Sequence, residues 1–261
     1  MTNLKTALLT SALILAAASA HAAPVLGLVG DKTLVMFDTD KPEITKTMDV
    51  TGVGKLVGID FRPATKTIVG VTADNTIVTI DPATGAATKV ATMDTPLAMT
   101  DAPVIVDFNP MADRLRYMTG TTNHRVHPDT GAVTVDGSLA YEEGDMHKGE
   151  MPNIVAAAYL NSNGKPEKTA MYNVDATIGA LIQQTKPNDG TLKAIGKFGI
   201  DGKVSTYALD VQTTDDGTNT VWLAADNTLY TVNLETGAAT AKGKITGTDA
   251  MLRDITVLPA M

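Results

Sequence analysis

The sequence predicts an all-β fold, a single β-propeller that most simply has five blades of four antiparallel strands. Three observations point there: one strand-and-turn unit recurs along the chain, no helical periodicity follows the N-terminal segment, and one unit is split between the two chain ends. The clearest repeat sets Val71-Thr-Ala-Asp-Asn-Thr-Ile-Val-Thr-Ile-Asp-Pro-Ala-Thr-Gly-Ala-Ala-Thr88 against Leu223-Ala-Ala-Asp-Asn-Thr-Leu-Tyr-Thr-Val-Asn-Leu-Glu-Thr-Gly-Ala-Ala-Thr240. A third copy runs from Tyr117 through His127-Pro-Asp-Thr-Gly131 to Val135, and weaker copies span 27–50 and 170–197. A further apolar element precedes each copy except the first: 56–63, 104–110, 154–159 and 205–211. The resulting period, about 45–50 residues, is that of propeller blades.

The second unit shows how each blade is written. Leu56 to Phe61 reads as an innermost strand A, 62–66 as a turn, and Thr67 to Thr72 as strand B. A tight turn at Ala73-Asp-Asn75 leads into strand C, Thr76 to Ile80, and a turn at Asp81-Pro-Ala-Thr-Gly85 leads into strand D, Ala87 to Met93. The strands are rich in Val, Ile and Thr, which suit a pleated, half-buried surface. The Asp81 turn has its own mechanism: Pro82 presets φ, Asp81 can accept from the backbone two residues on, and Gly85 supplies a positive φ.

The chain ends supply the closure. The first unit begins at strand B, Val25 to Val29, with no strand A before it, while 251–259 reads as a strand A with nothing after it. Pairing the two completes the first blade and removes both free edges. An open β-sandwich built from the same strands is the alternative architecture.

Residues 1–22 have the layout of a secretory signal peptide: Lys5, an apolar run from Ala7 to Ala18, then small residues. Small-x-small sites lie at Ala18-Ser-Ala20 and Ala20-His-Ala22, and cleavage after Ala22 is expected because cleavage after Ala23 would leave Pro24 first. The run is short for a bilayer span, and a retained anchor helix is the alternative. The expectation is an exported chain in the periplasm or outside the cell, with residues 23–261 as one propeller domain and no integral membrane segment. Of 261 residues, 44% are hydrophobic, enough for a sizeable core, and none is cysteine, so disulfides and thiol chemistry are excluded. The net charge of −8, with no basic patch, argues against nucleic acid and anionic lipid as partners.

At Gly58-Ile-Asp-Phe-Arg-Pro63, Asp107-Phe-Asn-Pro-Met-Ala-Asp-Arg-Leu-Arg116, His127-Pro-Asp-Thr-Gly131 and Asn153-Ile-Val-Ala-Ala-Ala-Tyr159 the chain resembles a family of exported bacterial domains of unknown function with a propeller-like repeat. The resemblance covers nearly all of residues 23–261. Where such members usually carry Asn-Leu-Arg-Leu-Asn before the Pro-Asp-Thr-Gly turn, this chain has Asn123-His-Arg-Val-His127. The resemblance implies the propeller fold and export, and it implies no activity.

Because strands alternate direction, A–B and C–D turns share one face and B–C and D–A connections share the other. The second face should collect Asp31, Asp74, Asn75, Asn123, His124, Asp226 and Asn227 from B–C turns, and Asp94, Asp101, 142–150 and Asp249 from D–A connections. Long loops on a rigid scaffold are where binding residues concentrate. The loop Tyr141 to Asn153 is the leading ligand-binding candidate, with Glu142, Glu143, Asp145, His147 and Glu150 in a short span and His124 expected opposite. These side chains suit calcium or zinc, but no metal-binding motif spacing is present, and a solvated acidic loop with Lys148 as counter-charge is the plainer explanation.

Asp60, Asp107 and Asp210 recur at one place in strand A and should line the channel. They could bind a cation or act as acid and base; repetition in successive blades favours an architectural role in accepting backbone N–H groups. Ala158 holds that place in the fourth unit, so a complete carboxylate ring is excluded. His127 stands where sister units have Asp81 and Asn233, which marks it as a turn cap. Asp113, Arg114 and Arg116 could bind an anion or pair internally. Trp222, the sole tryptophan, falls in a strand and reads as core, and with 4% aromatics a sugar-stacking platform is hard to build. No nucleophile elbow, phosphate loop or dinucleotide fingerprint occurs. The reading is a non-enzymatic module that binds a protein, peptide or small-molecule ligand as a monomer, with no cofactor required. The alternatives are a metal-assisted hydrolase or lactonase using the loop-face acids, and a structural role in an envelope or matrix assembly.

Overall fold

The computed structural model describes residues 22–98 and 102–259; all but the last residue of the expected signal segment, and Asp101, lie outside them. Strands in this region form five sheets arranged as the blades of a five-bladed β-propeller. Blade 1 has β1 (Pro24–Val29), β2 (Thr33–Asp38) and β3 (Lys46–Asp49). Blade 2 has β4 (Leu56–Arg62), β5 (Thr67–Thr72), β6 (Thr76–Ile80) and β7 (Ala87–Thr92). Blade 3 has β8 (Val104–Asn109), β9 (Arg114–Thr119), β10 (Thr122–Val126) and β11 (Val133–Val135). The short β12 (Ala140–Tyr141) follows. Blade 4 has β13 (Ile154–Tyr159), β14 (Met171–Asp175), β15 (Ala180–Lys186) and β16 (Thr191–Lys197). Blade 5 has β17 (Tyr207–Thr213), β18 (Asn219–Ala225), β19 (Thr228–Val232) and β20 (Ala239–Lys244). The final strand, β21 (Leu252–Val257), returns to blade 1.

The closure expected from the chain ends is present. β21 pairs antiparallel with β1, Val25 opposite Val257 and Gly27 opposite Ile255, giving the order β21-β1-β2-β3. The inner strands β21, β4, β8, β13 and β17 touch one another in ring order. Among the described residues no helix is long and apolar enough to cross a membrane.

The inner strand of each blade and the strand behind it are buried on both faces, so their residues alternate between two neighbouring blades rather than between core and solvent, as β1 shows. Leu26 and Leu28 pack toward blade 2 with Leu56, Ile59 and Ile68, while Val25 and Val29 pack toward blade 5 with Trp222 and Leu229. The described core divides in this way into five clusters, one at each seam between blades. The outer strands differ: β7 and β20 are largely exposed and carry Lys89, Lys242 and Lys244, charges that blunt a free edge.

The C–D turns form as the sequence predicts. The side chains of Asp81, His127 and Asn233 accept from the backbone N–H of Ala83, Asp129 and Glu235, at 2.7, 3.3 and 2.9 Å. Gly131 has φ 75°, and a Cβ there would also lie 2.2 Å from the Thr92 carbonyl oxygen of blade 2. The turn glycine thus lets two blades meet backbone to backbone.

Two local features depart from the expected pattern. β12 adds a fifth strand to the outside of blade 4, parallel to β16, because the chain leaving blade 3 runs along that edge before turning inward. The B–C turn of blade 3 is Gly120-Thr121, so Asn123 and His124 do not belong to the loop face. They sit inside β10, with His124 opposite Tyr117 and Val135. Gly120-Thr121 holds the place that Asp226-Asn227 has in blade 5, directly before Thr122 as those two are before Thr228, so Asn123 and His124 align with the strand positions Leu229 and Tyr230.

Candidate functional site

The ring axis gathers the repeated carboxylates. One oxygen from each of Asp60, Asp107 and Asp210 lies within 4.8 Å of the other two, and all three side chains are buried. Each accepts a hydrogen bond from the next blade: Phe108 N–H to Asp60 Oδ2 at 2.6 Å, Tyr159 N–H to Asp107 Oδ1 at 3.0 Å, and Val257 N–H to Asp210 Oδ2. Thr256 holds the equivalent place in β21. Its hydroxyl accepts from Phe61 N–H at 3.0 Å and donates to Asp60 Oδ1 at 3.0 Å. Four of the five seams are therefore tied by a side chain reaching across the axis. Ala158 provides no such acceptor, and the N–H of Val211 is covered by Asp210 Oδ1 at 2.6 Å instead. The seam between blades 4 and 5 is fastened at the rim, where Asn161 and Asn219 exchange bonds of 2.8 and 2.7 Å.

A fourth acid joins this group. Asp254, partly buried in β21, accepts from Ile59 N–H at 2.8 Å and Ile255 N–H at 3.0 Å. It has room because Gly58 faces it: a Cβ on that glycine would lie 3.0 Å from Asp254 Oδ2 and 2.5 Å from Val106. Burial pushes all four carboxyls above the usual carboxylate range. Asp60 rises through burial and then the charge of Asp210, and Asp107 through burial and then Asp60 and Asp210. Loss of solvent carries Asp210 up to about 7 and Asp254 to about 8. Calcium asks for six to eight oxygens; here at least one oxygen of each carboxyl already accepts a main-chain N–H, which is an architectural use.

The acidic loop is a different object. It leaves β12 with Glu142 N–H bonded to Leu192 O at 2.8 Å, and Asp145 pins its middle. Asp145 Oδ2 accepts from Ala194 N–H of β16 at 2.7 Å, and Oδ1 from His147 N–H at 2.8 Å. His147 Nδ1 lies 2.9 Å from Glu150 Oε2, and its ring centroid is 5.4 Å from that of Tyr141. Lys148 pairs with Glu143. At its base Tyr141 Oη donates to Asp175 Oδ2 at 2.6 Å, and Asn153 N–H reaches the same oxygen at 3.1 Å. Two apolar side chains stand out from this pinned frame: Met146 is 85% exposed and Met151 78%. Glu142, Glu143 and Gly144 also line an open depression of about 450 Å³ with Lys186, Asp189 and Thr191.

His124 is not part of this loop. It is buried in β10, burial lowers its tendency to protonate, and Nδ1 has no hydrogen-bond partner. The structure therefore brings Glu142, Glu143, Asp145, His147 and Glu150 together in one loop and leaves His124 apart. Among the described residues the only three ligand-type side chains with converging donor atoms are the axial aspartates.

Asp113, Arg114 and Arg116 also separate. Asp113 accepts from Arg62 Nε at 2.8 Å and Nη2 at 2.6 Å, and Asp129 pairs with the same guanidinium, so Arg62 of blade 2 clamps two turns of blade 3. Arg116 donates to Asp136 and Asn123 at 2.8 Å each and to Asn188 at 3.1 Å, deep between blades 3 and 4. Arg114 donates only to nearby carbonyls. Trp222 is core, its Nε1–H donating to Gln212 at 3.1 Å. Sequence reasoning missed Arg62, Asp136, Asp254 and Thr256. Aligning Pro259 with Pro63 places Thr256 over Asp60 and would have found the axial hydroxyl.

The fold and the axial ties define a five-bladed propeller closed by its own C-terminal strand. A family model described as a domain of unknown function (DUF4394) matches residues 33–256, and the chain belongs to that family. No curated protein sequence matches it. Among solved structures, it is similar to a protein of unknown function from Bacteroides thetaiotaomicron VPI-5482, at 14% identity and TM-score 0.53, covering 93% of this chain and 68% of that one. It also matches a protein of unknown function from Bacteroides caccae, at 13% identity and TM-score 0.41, over 84% of this chain and 71% of that one. A third match is virginiamycin B lyase from Staphylococcus aureus, at 16% identity and TM-score 0.41, over 84% and 69%. At 14% identity the first likeness is one of fold alone.

Proposed function

We propose that this chain is an exported recognition module that acts without catalysis, holding a protein or peptide partner through the loop 142–151. The observation that carries the reading is the combination of a pinned backbone with exposed methionines. Asp145 ties the loop to β16, yet Met146 and Met151 are exposed to solvent on a segment that also carries Glu142, Glu143 and Glu150. Methionine is adaptable and polarisable, and an apolar contact on a preorganised loop loses little entropy on binding. The flanking acids favour a partner that sets an apolar side chain beside Lys or Arg. The channel acids Asp60, Asp107 and Asp210 accept from the backbone of the next blade, and Glu143, Asp145 and Glu150 are paired within the loop or to β16.

A photo-crosslinking side chain placed at Met146 of the full chain, in living cells, should yield a discrete adduct. The same side chain at Met111, on the opposite face and 42% exposed, should yield none. Equal labelling at both sites, or none at Met146, removes the reading. Export is checked separately: the mature protein should begin at Ala23, and an intact Met1 on the cytoplasmic side would end that part of the proposal.

A further inference from the structure

We propose that the axial cluster is a proton-binding centre: the folded ring holds protons among Asp60, Asp107, Asp210 and Asp254 that the unfolded chain releases, so mild acid tightens the ring and alkali loosens it. Three of these carboxyls come from three different blades, and one oxygen of each falls within 4.8 Å of the others. Asp254 joins from a fourth, through the N–H of Ile59. Like charges this close, out of water, cannot all ionise, so the site keeps protons as a group.

Among the described residues no cation forms an ion pair with them, although the charge of Arg253 draws Asp254 down somewhat against its burial. Arg253, the adjacent guanidinium, donates to the carbonyls of Gly30 at 2.7 Å and Leu56 at 2.9 Å. The fifth inner strand, β13, brings Ala158 and the phenol of Tyr159, which meets Arg116. Of the strands behind the inner ring, β1, β5 and β18 carry no titratable residue. In β9, Arg114 and Arg116 are held by Asp113 O and Asp136, and Tyr117 donates to Asn75. In β14, Asp175 accepts from Tyr141 and Asn153, and Tyr172 is the only other titratable group.

The sign follows from linkage. A carboxyl whose folded pKa exceeds its unfolded value, about 4, binds more protons when folded, so stability falls as pH rises toward the folded pKa. With Asp210 near 7 and Asp254 near 8, and Asp60 and Asp107 also raised, the sensitive window reaches through neutral pH. His124 pulls the other way, because burial keeps it neutral, but only below its unfolded pKa of about 6.5. The window for the test is therefore about pH 7 to 8, above the His124 contribution.

Urea unfolding of the full mature chain in EDTA should show the unfolding constant rising at least about tenfold between pH 7 and 8, one decade for each proton the fold retains. Asp107→Asn keeps an acceptor for Tyr159 N–H and removes one acid, and the slope should become shallower. If that variant does not fold, carbon-13 NMR of wild-type aspartate carboxyls decides: resonances titrating above about pH 6.5 are expected. A flat or inverted slope in wild type, or aspartates all titrating below about pH 5, overturns the proposal. So does stabilisation by calcium, magnesium or zinc that abolishes the pH slope, since the centre would then be a cation site.

Discussion

The molecule has two concentrations of acid, and they are built in opposite ways. On the axis, Asp60, Asp107 and Asp210 come from separate blades, are buried, and face main-chain N–H groups of the next blade. In the loop, Glu142, Glu143, Asp145 and Glu150 are neighbours in sequence and stand at or near the surface, and the last three find partners within the loop or on the strand beside it. The axial acids are repeated because every blade presents the same orphan amide to its neighbour. The loop occurs once because only the connection from blade 3 to blade 4 is long enough to run along β16 before entering the ring. Repetition marks architecture here, and the unrepeated loop is where we propose that recognition takes place.

The comparison can be broken most directly at the axis. Asp60→Ala strands Phe108 N–H and removes the acceptor for the Thr256 hydroxyl, and leaving buried donors unpaired costs about 1–3 kcal/mol. Measured by urea unfolding near pH 6, where the cluster holds its protons, the full loss should appear. Near pH 8 it should shrink, because the variant also removes a charge from a crowded site. Asp145→Ala should come next, at about 1 kcal/mol, since it releases the N–H groups of Ala194 and His147 at a part-exposed site. Hydrogen exchange should quicken at those two amides and stay unchanged at Phe108 and Tyr159. The smallest effect belongs to Glu143→Ala with Lys148→Ala: an exposed ion pair, expected to shift stability by less than about 0.5 kcal/mol. A loss as large as that of Asp60→Ala would mean that the loop, too, holds the ring together.

Much of the fold could be read from local chemistry. The Asp81 turn, its copy at Asn233 and the substituted copy at His127 all form as their residue types require, because a turn is decided within about five residues. The strands Thr67–Thr72 and Thr76–Ile80 have the boundaries their patterning predicts. His124 shows the limit. Asn123-His124 resembles the Asp-Asn turn pairs of sister units in residue type, but Gly120-Thr121 already holds that turn, so the imidazole falls inside strand C and enters the core. The candidate loop was legible as a dense acidic segment. Its partners were not, because Asp145 meets Ala194 only once blade 4 has folded beside it.

The sequence alone determined the repeat, the turns, the all-β class and the split first blade, since each depends on residue type at short spacing. Tertiary structure decided what the acids do. Whether Asp60 faces a metal, a substrate or an amide depends on the register between blades, and no spacing along one blade encodes it. Closure of the ring brings Thr256 and Asp254, nearly 200 residues away in sequence, to within hydrogen-bond reach of Asp60 and Ile59. That meeting removes the carboxyls from water and sets their chemistry.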